Sequence, residues 1–289
     1  MITWPQTLVT EIARRRSVIF LGAGIAVQCT NNVGQHPKNW GDLLLAGVGL
    51  VPGPKARKTE IRTLIKTGDY LTACEVIRDR MGARAFHEFL IRELLTPNFQ
   101  PAPIYDTIIQ LGSRILATPN FDKLLENKAS ALPGPPVRIK NYYDSDVAAV
   151  AKGSMTVILK VHGTIDTPDK MIFTRADYTK ARNDYWGFYA VLEALSMTHT
   201  FLFIGCGLND PDIKLILEDH AFIHKWAEPH YFVLPRKSFP SSIIPAIQRN
   251  LNISILEYTG GHSQLKPELD ALVTAVTSER ATMQINASW

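Results

Sequence analysis

Cysteine is scarce in this chain. Its 289 residues include three, Cys29, Cys74 and Cys206, far apart and with no CxxC pair. Three thiols cannot make a four-thiolate zinc site within one chain. An odd, scattered set does not read as a disulfide framework either, which favours a cytoplasmic protein. No apolar run reaches the ~18–20 residues of a membrane-spanning helix. The N-terminal MITWPQTLVTEIARRRS has no uninterrupted apolar stretch of the signal-peptide kind, because Glu11 and Arg14 to Arg16 break it. It reads as an amphipathic helix. Charge of one sign is also in short supply, with a formal excess of +4. The densest basic run, Arg14 to Arg16, suits a solvated helix end as well as an anionic partner. Internal repeats and low-complexity tracts are missing too.

The chain does contain core-forming material. Apolar residues make up 46% and charged residues 20%, the balance of a globular protein with a sizeable interior. Short β-rich runs recur at 17–21, 114–117, 156–161, 171–174, 198–204, 230–235 and 253–258. A further short edge strand is expected within 133–143. Helical spacing separates the runs, including one long helix near 181–197. Strands alternating with helices imply a Rossmann-like α/β fold with a doubly wound, mostly parallel sheet. Between 39 and about 96 the strand pattern gives way to helices alone. Asn39 is placed to cap the first of them, and Met81-Gly82 and Thr96-Pro97 act as punctuation. The chain therefore divides into a core of 1–35 and 101–278, a helical insertion at 36–100, and a tail at 279–289 that is frayed or held by a partner.

Four blocks carry chemistry, each at the end of a strand. Gly22-Ala23-Gly24 follows SVIFL, and a G-x-G there lets backbone approach a pyrophosphate. The third glycine of the dinucleotide fingerprint is replaced by Val27, and a tight turn without ligand is the competing reading. Asp42 stands about twenty positions on, but its place in a first helical turn favours capping. Thr118-Pro119-Asn120-Phe121-Asp122 puts Asn120 and Asp122 at a strand end. Asn120 can hold a water or a hydroxyl with both donor and acceptor, while either residue can instead cap the next helix. His162, before Gly163, can act as a base near neutrality or simply satisfy a loop. Gly205-Cys206-Gly207-Leu208-Asn209-Asp210 again pairs glycines with polar groups, and Asp210-Pro211 also reads as a helix cap. Cys206 also reads as a small buried residue. His220 and His224 have the i,i+4 spacing of a metal pair without an acidic partner, and His262 can line the site's rim or cap a helix.

Together GAGIA, TPNFD, KVHG and GCGLNDPDI resemble the sirtuin superfamily, most closely the bacterial sirtuin-like domains of anti-phage defence systems. The likeness runs over roughly residues 15–260, and the combination of blocks is specific where no single block is. The zinc cysteines of the protein deacylases are absent, and the helical insertion takes the place of the zinc module. The stretch after Gly24, IAVQCTNNVGQHPKNW, also departs from the deacylase pattern.

The resemblance implies a single sirtuin-like domain over 1–289 that hydrolyses NAD+ to ADP-ribose and nicotinamide, with NAD+ as substrate and no metal. It assigns Asn120 to the water and ribose, and His162 to the ribose hydroxyls or the water. It gives binding roles to Gly22, Ala23, Gly24, Thr118, Asp122, Gly205, Gly207, Asn209 and Asp210. A toxic NAD+ hydrolase implies restraint until infection, hence a homo-oligomer and a partner. The partner is a HerA-like hexameric ATPase, with a short Argonaute as the alternative; DNA is met only through it, and no membrane is involved. An NAD or ADP-ribose sensor or assembly subunit without turnover, and a zinc-free deacylase or ADP-ribosyltransferase, are the rival readings.

Overall fold

The computed structural model describes residues 1–133, 136–208, 210, 213–214, 217–218, 221–222 and 227–285. In chain order its elements are α1 (Gln6–Ala13), β1 (Ser17–Leu21), α2 (Ala23–Ala26), α3 (Trp40–Leu50), α4 (Lys55–Lys66), α5 (Tyr70–Met81) and α6 (Ala83–Leu94). They continue with α7 (Ile104–Gln110), β2 (Ile115–Thr118), α8 (Leu124–Ala131), β3 (Arg138–Asn141), α9 (Val147–Lys152) and β4 (Val157–Lys160). The rest are α10 (Arg175–Asp184), α11 (Trp186–Thr198), β5 (Thr200–Ile204), β6 (His230–Pro235), α12 (Ile244–Leu251), β7 (Ile253–Tyr258) and α13 (Leu265–Thr282).

The strands form one sheet in the order β3-β4-β2-β1-β5-β6-β7, and every pairing is parallel. Parallel strands need helical crossovers, so both faces are covered and the central strands are apolar throughout. All five residues of β1 are buried, as are all four of β2 and of β4. Alternation then sorts them between two cores. Ile19 and Leu21 pack with Leu116, Ile158 and Leu202 on one face. Val18 and Phe20 pack with Ala117, Leu159 and Phe203 on the other. The sheet winds outward from β1 in both directions, so the crevice at its carboxyl edge opens between the loops after β2, β1 and β5.

Helices α3 to α6 build a third core from Leu44, Val48, Ile77 and Phe89, which meets the sheet domain through Ile165, Met171 and Phe173. Asn39 caps α3 as its sequence suggests, accepting from the Asp42 amide at 2.9 Å, and Asp42 sits in the first turn. The insertion is strapped to α10 by charge. Arg78 donates to both Asp177 oxygens at 2.9 and 2.8 Å and to Thr174 Oγ1 at 3.1 Å.

Three expectations need correction. The run at 171–174 is buried but forms no strand. Its backbone donors are taken elsewhere: the Ile172 amide donates to the His162 carbonyl, and those of Phe173 and Thr174 donate to Asp177 Oδ2. Thr174 and Asp177 thereby close a capping box on α10. The single helix near 181–197 is two helices, α10 and α11, broken at Tyr185. Its apolar positions, Tyr178 and Ala181 before the break and Phe188, Leu192 and Leu195 after it, all enter the same core, so their spacing carries no mark of the bend. Residues 279–282 are not frayed but continue α13. Arg280 is buried there and donates to the carbonyls of Ile12, Ala13 and Leu111.

The turns after β1 and β5 interlock. The Gly22 and Gly24 amides donate to the carbonyls of Ile204 and Gly205 at 3.0 and 2.9 Å. A Cβ on Gly22 would lie 2.4 Å from the Gly205 oxygen, and one on Gly205 (φ 68°) 2.7 Å from the Ile25 nitrogen. Gly22→Ala should therefore lower stability by about 1–3 kcal/mol, the usual cost of overpacking. Gly205→Ala should cost a further ~1–2 kcal/mol for its left-handed backbone. Urea unfolding checks both; midpoints equal to wild type would refute the interlock.

Candidate active site

The carboxyl edge of the sheet opens into a cavity of about 510 Å³. Its floor is the ends of β1, β2, β4 and β5; its opposite wall comes from the insertion. Of the residues singled out in the sequence, Gly22, Ala23, Asn120, Asp122, His162, Gly205, Gly207 and Asp210 line it. Gly24 and Thr118 do not line it. Thr118 is buried and its hydroxyl donates to the Leu21 carbonyl at 2.7 Å, tying the end of β2 to that of β1. Asn209, and the pair His220 and His224, lie outside the described residues. His262 follows β7, its Nδ1 meets the Tyr258 hydroxyl at 3.2 Å, and it does not line the cavity.

The Gly22 and Gly24 amides are engaged within the protein. With their amides bonded to the β5 turn, Gly22 and Gly24 do not present those donors to a ligand. What they provide is close approach of two backbones, which brings the fourth block beside the first.

Asn120 is half-buried, and its amide donates to Thr118 Oγ1 at 3.1 Å, which leaves its side chain at the cavity surface. Asp122 stands one residue before Lys123, the N-cap of α8, and its Oδ1 accepts from the Leu124 amide at 3.0 Å. It lines the cavity as well, so that bond and a place in the site are not exclusive. His162 is buried at the end of β4, with the Tyr178 ring edge-on to it at 5.1 Å between centroids. Its Nε2 faces Asp210 Oδ2 at 3.8 Å, too far for a hydrogen bond but within ion-pair range. Asp210 divides its carboxylate: Oδ1 accepts from the Ile213 amide at 3.2 Å while Oδ2 turns to the histidine. Cys206 lines the cavity, yet burial pushes its thiol well above the ordinary range, with Asp210 adding to the shift. The protonated thiol bonds weakly to the Phe20 carbonyl and packs as a small apolar group.

Sequence reading missed the insertion's share of the site. Lys38, Trp40, Asp69 and Tyr70 face the cavity from α3 and α5 or the loops before them, and Arg175 and Lys214 border it from the core side. Lys38 pairs with Glu93 at 2.7 Å and Arg175 with Asp69 at 3.2 Å. It also missed the support beneath the Asn120 loop. Lys160 is fully buried and bonds Glu126 Oε1 at 2.8 Å and the Asp122 carbonyl at 2.5 Å. Burial pushes the Glu126 carboxyl up, and Lys160 opposes that shift. The signal was in view: a lysine two residues before His162, within an otherwise apolar strand. Among the described residues, no group of three or more His, Cys, Asp or Glu side chains is arranged to hold a metal. Nor is any helix there long and apolar enough to cross a membrane.

Parallel strands, a topological switch point and polar loops converging on one cavity define a Rossmann-like α/β protein with a cavity at the strands' carboxyl ends, where such folds take ligands. The chain matches a SIR2-like domain model over residues 114–256, which hold the second, third and fourth blocks. It is 27% identical over 234 residues to an Enterococcus faecium protein named NAD(+) hydrolase ThsA, covering 77% of this chain and 44% of that one. A Cytobacillus dafuensis protein of the same name is 30% identical over 223 residues, covering 75% and 41%. The Bacillus subtilis protein named defense-associated sirtuin 2 is 24% identical over 213 residues, covering 72% and 20%. The chain thus spans less than half the length of these relatives. A solved structure titled for the mechanism and regulation of Sir2 enzymes aligns over 94% of this chain and 98% of its own, with TM-score 0.47 and 14% identity.

The divided Asp210 carboxylate makes a separable prediction. Asp210→Ala should cost about 1 kcal/mol of stability through loss of the cap. Asp210→Asn keeps a capping oxygen and should stay within a few tenths of wild type. Equal losses in urea unfolding would contradict the division.

Proposed function

We propose that this chain hydrolyses NAD+ to ADP-ribose and nicotinamide, and that it serves as an effector of anti-phage defence held inactive until triggered. One observation carries the reading: Asn120, His162 and Asp210, from three different strand ends, line one cavity. The names of the relatives add support, being NAD(+) hydrolases and a defence-associated sirtuin.

The chemistry follows from the groups present. Breaking the bond between C1′ of the ribose and the nicotinamide nitrogen releases neutral nicotinamide and leaves oxocarbenium-like charge on the sugar. Water adds to C1′, and one proton leaves, so the products are ADP-ribose, nicotinamide and H⁺. Asn120 holds the water or a ribose hydroxyl in line, with donor and acceptor on one side chain. His162 accepts the proton, directly or through a ribose hydroxyl. Asp210, opposite its Nε2, favours the charged imidazolium that results. Asp122 and the Gly22, Ala23, Gly205 and Gly207 backbone shape the rest of the dinucleotide site, and Thr118 and Gly24 support it. Asn209 belongs to the same proposal on resemblance alone. So do action in the cytoplasm, assembly as a homo-oligomer, and control by a HerA-like hexameric ATPase or, in the alternative, a short Argonaute.

The test is NAD+ consumption with products resolved by chromatography, on the chain alone and with candidate partners. Asn120→Ala and His162→Ala should each lower turnover about 100-fold or more, with thermal stability retained. Asp210→Asn should lower it less. Full activity in either alanine variant would remove that residue from the mechanism. Binding of NAD+ without turnover under every condition would favour the sensor reading.

A further inference from the structure

The loop that carries Asn120 is tied to the β4 end by three bonds. Two are between backbones: the Val161 amide to the Thr118 carbonyl at 3.0 Å, and the Ile165 amide to the Phe121 carbonyl at 2.9 Å. The third comes from a side chain, Lys160 Nζ to the Asp122 carbonyl at 2.5 Å. Lys160 has no exposed surface, and Glu126, its ion-pair partner on α8, is buried as well. A buried pair of this kind recovers little of the cost of desolvating its charges, and an apolar pair of equal volume is often as stable. Stability therefore does not account for a lysine here. Geometry does, because the ammonium reaches at once the loop's last carbonyl and the helix that follows it. The Phe121 ring, stacked on Phe173 at 4.2 Å between centroids, holds the loop's other side.

We propose that Lys160 is a positioning residue: it clamps the 119–122 loop to the strand that ends in His162, and so sets Asn120 and His162 at a fixed separation across the cavity. Its effect on turnover rests on the hydrolase reading; its effect on the loop does not.

The experiment compares wild type with Lys160→Met/Glu126→Leu by hydrogen exchange and by NAD+ kinetics. The double variant should unfold at a temperature close to wild type. Amides of Asn120 to Lys123 should exchange at least tenfold faster while those of β1 and β5 do not change. In an active enzyme, kcat should fall at least tenfold with KM altered less than threefold. Unchanged exchange in that loop overturns the clamp whether or not the protein hydrolyses NAD+. Faster exchange with unchanged kcat in an active enzyme overturns its part in the reaction. Faster exchange in a protein whose wild type turns over no NAD+ alone or with any candidate partner upholds the clamp and counts against the hydrolase reading alone. If the double variant does not fold, the more polar Lys160→Gln/Glu126→Gln pair carries the same comparison.

Discussion

Two backbones meet at the carboxyl ends of β1 and β5 with no space for a side chain between them. A Cβ on Gly22 would run into the Gly205 carbonyl and one on Gly205 into the Ile25 nitrogen, and the Gly22 and Gly24 amides bond the carbonyls of Ile204 and Gly205. Everything at the candidate site depends on that contact. It holds Gly205 and Cys206 against the turn after β1, on the same edge where Asp210 faces His162. A glycine pattern usually read as making room for phosphate here first makes room for protein.

The second constraint is the pinning of the Asn120 loop. Thr118, Phe121 and Asp122 each bond or stack onto a neighbouring element, and Asn120 lines the cavity with Phe121 and Asp122. Rigid neighbours around a single presented amide suit a group that must hold a water or a hydroxyl in one orientation. The helical insertion supplies the facing wall. Its own core and the Arg78 to Asp177 contact fix it against α10, so the cavity is bounded by two packed bodies.

Much of this was legible in the chain. The strand ends at Leu21, Thr118, Lys160 and Ile204 follow from short apolar runs stopped by glycine or polar clusters, and helices α3 to α6 follow from period and caps. Segments whose bonding is decided by a distant partner were not. Residues 171–174 look like a strand until Asp177 takes their amides. The break at Tyr185 is hidden because both helices turn their apolar faces to one core. That Gly24 and Thr118 do not line the cavity was not legible either, since a residue's type does not say which side of a turn it occupies.

What the sequence by itself determined is the set of elements and the chemistry carried at each strand end, because apolar periodicity and turn residues act over a few positions. What only the tertiary structure decided is which of those groups share a cavity and which serve as props. Lys160 and Glu126 are 34 positions apart and mean nothing singly; strand register and the seat of α8 make them a buried pair under the Asn120 loop. Trp40 and Tyr70 became cavity wall through packing of the insertion on the sheet, a long-range contact that no local pattern encodes.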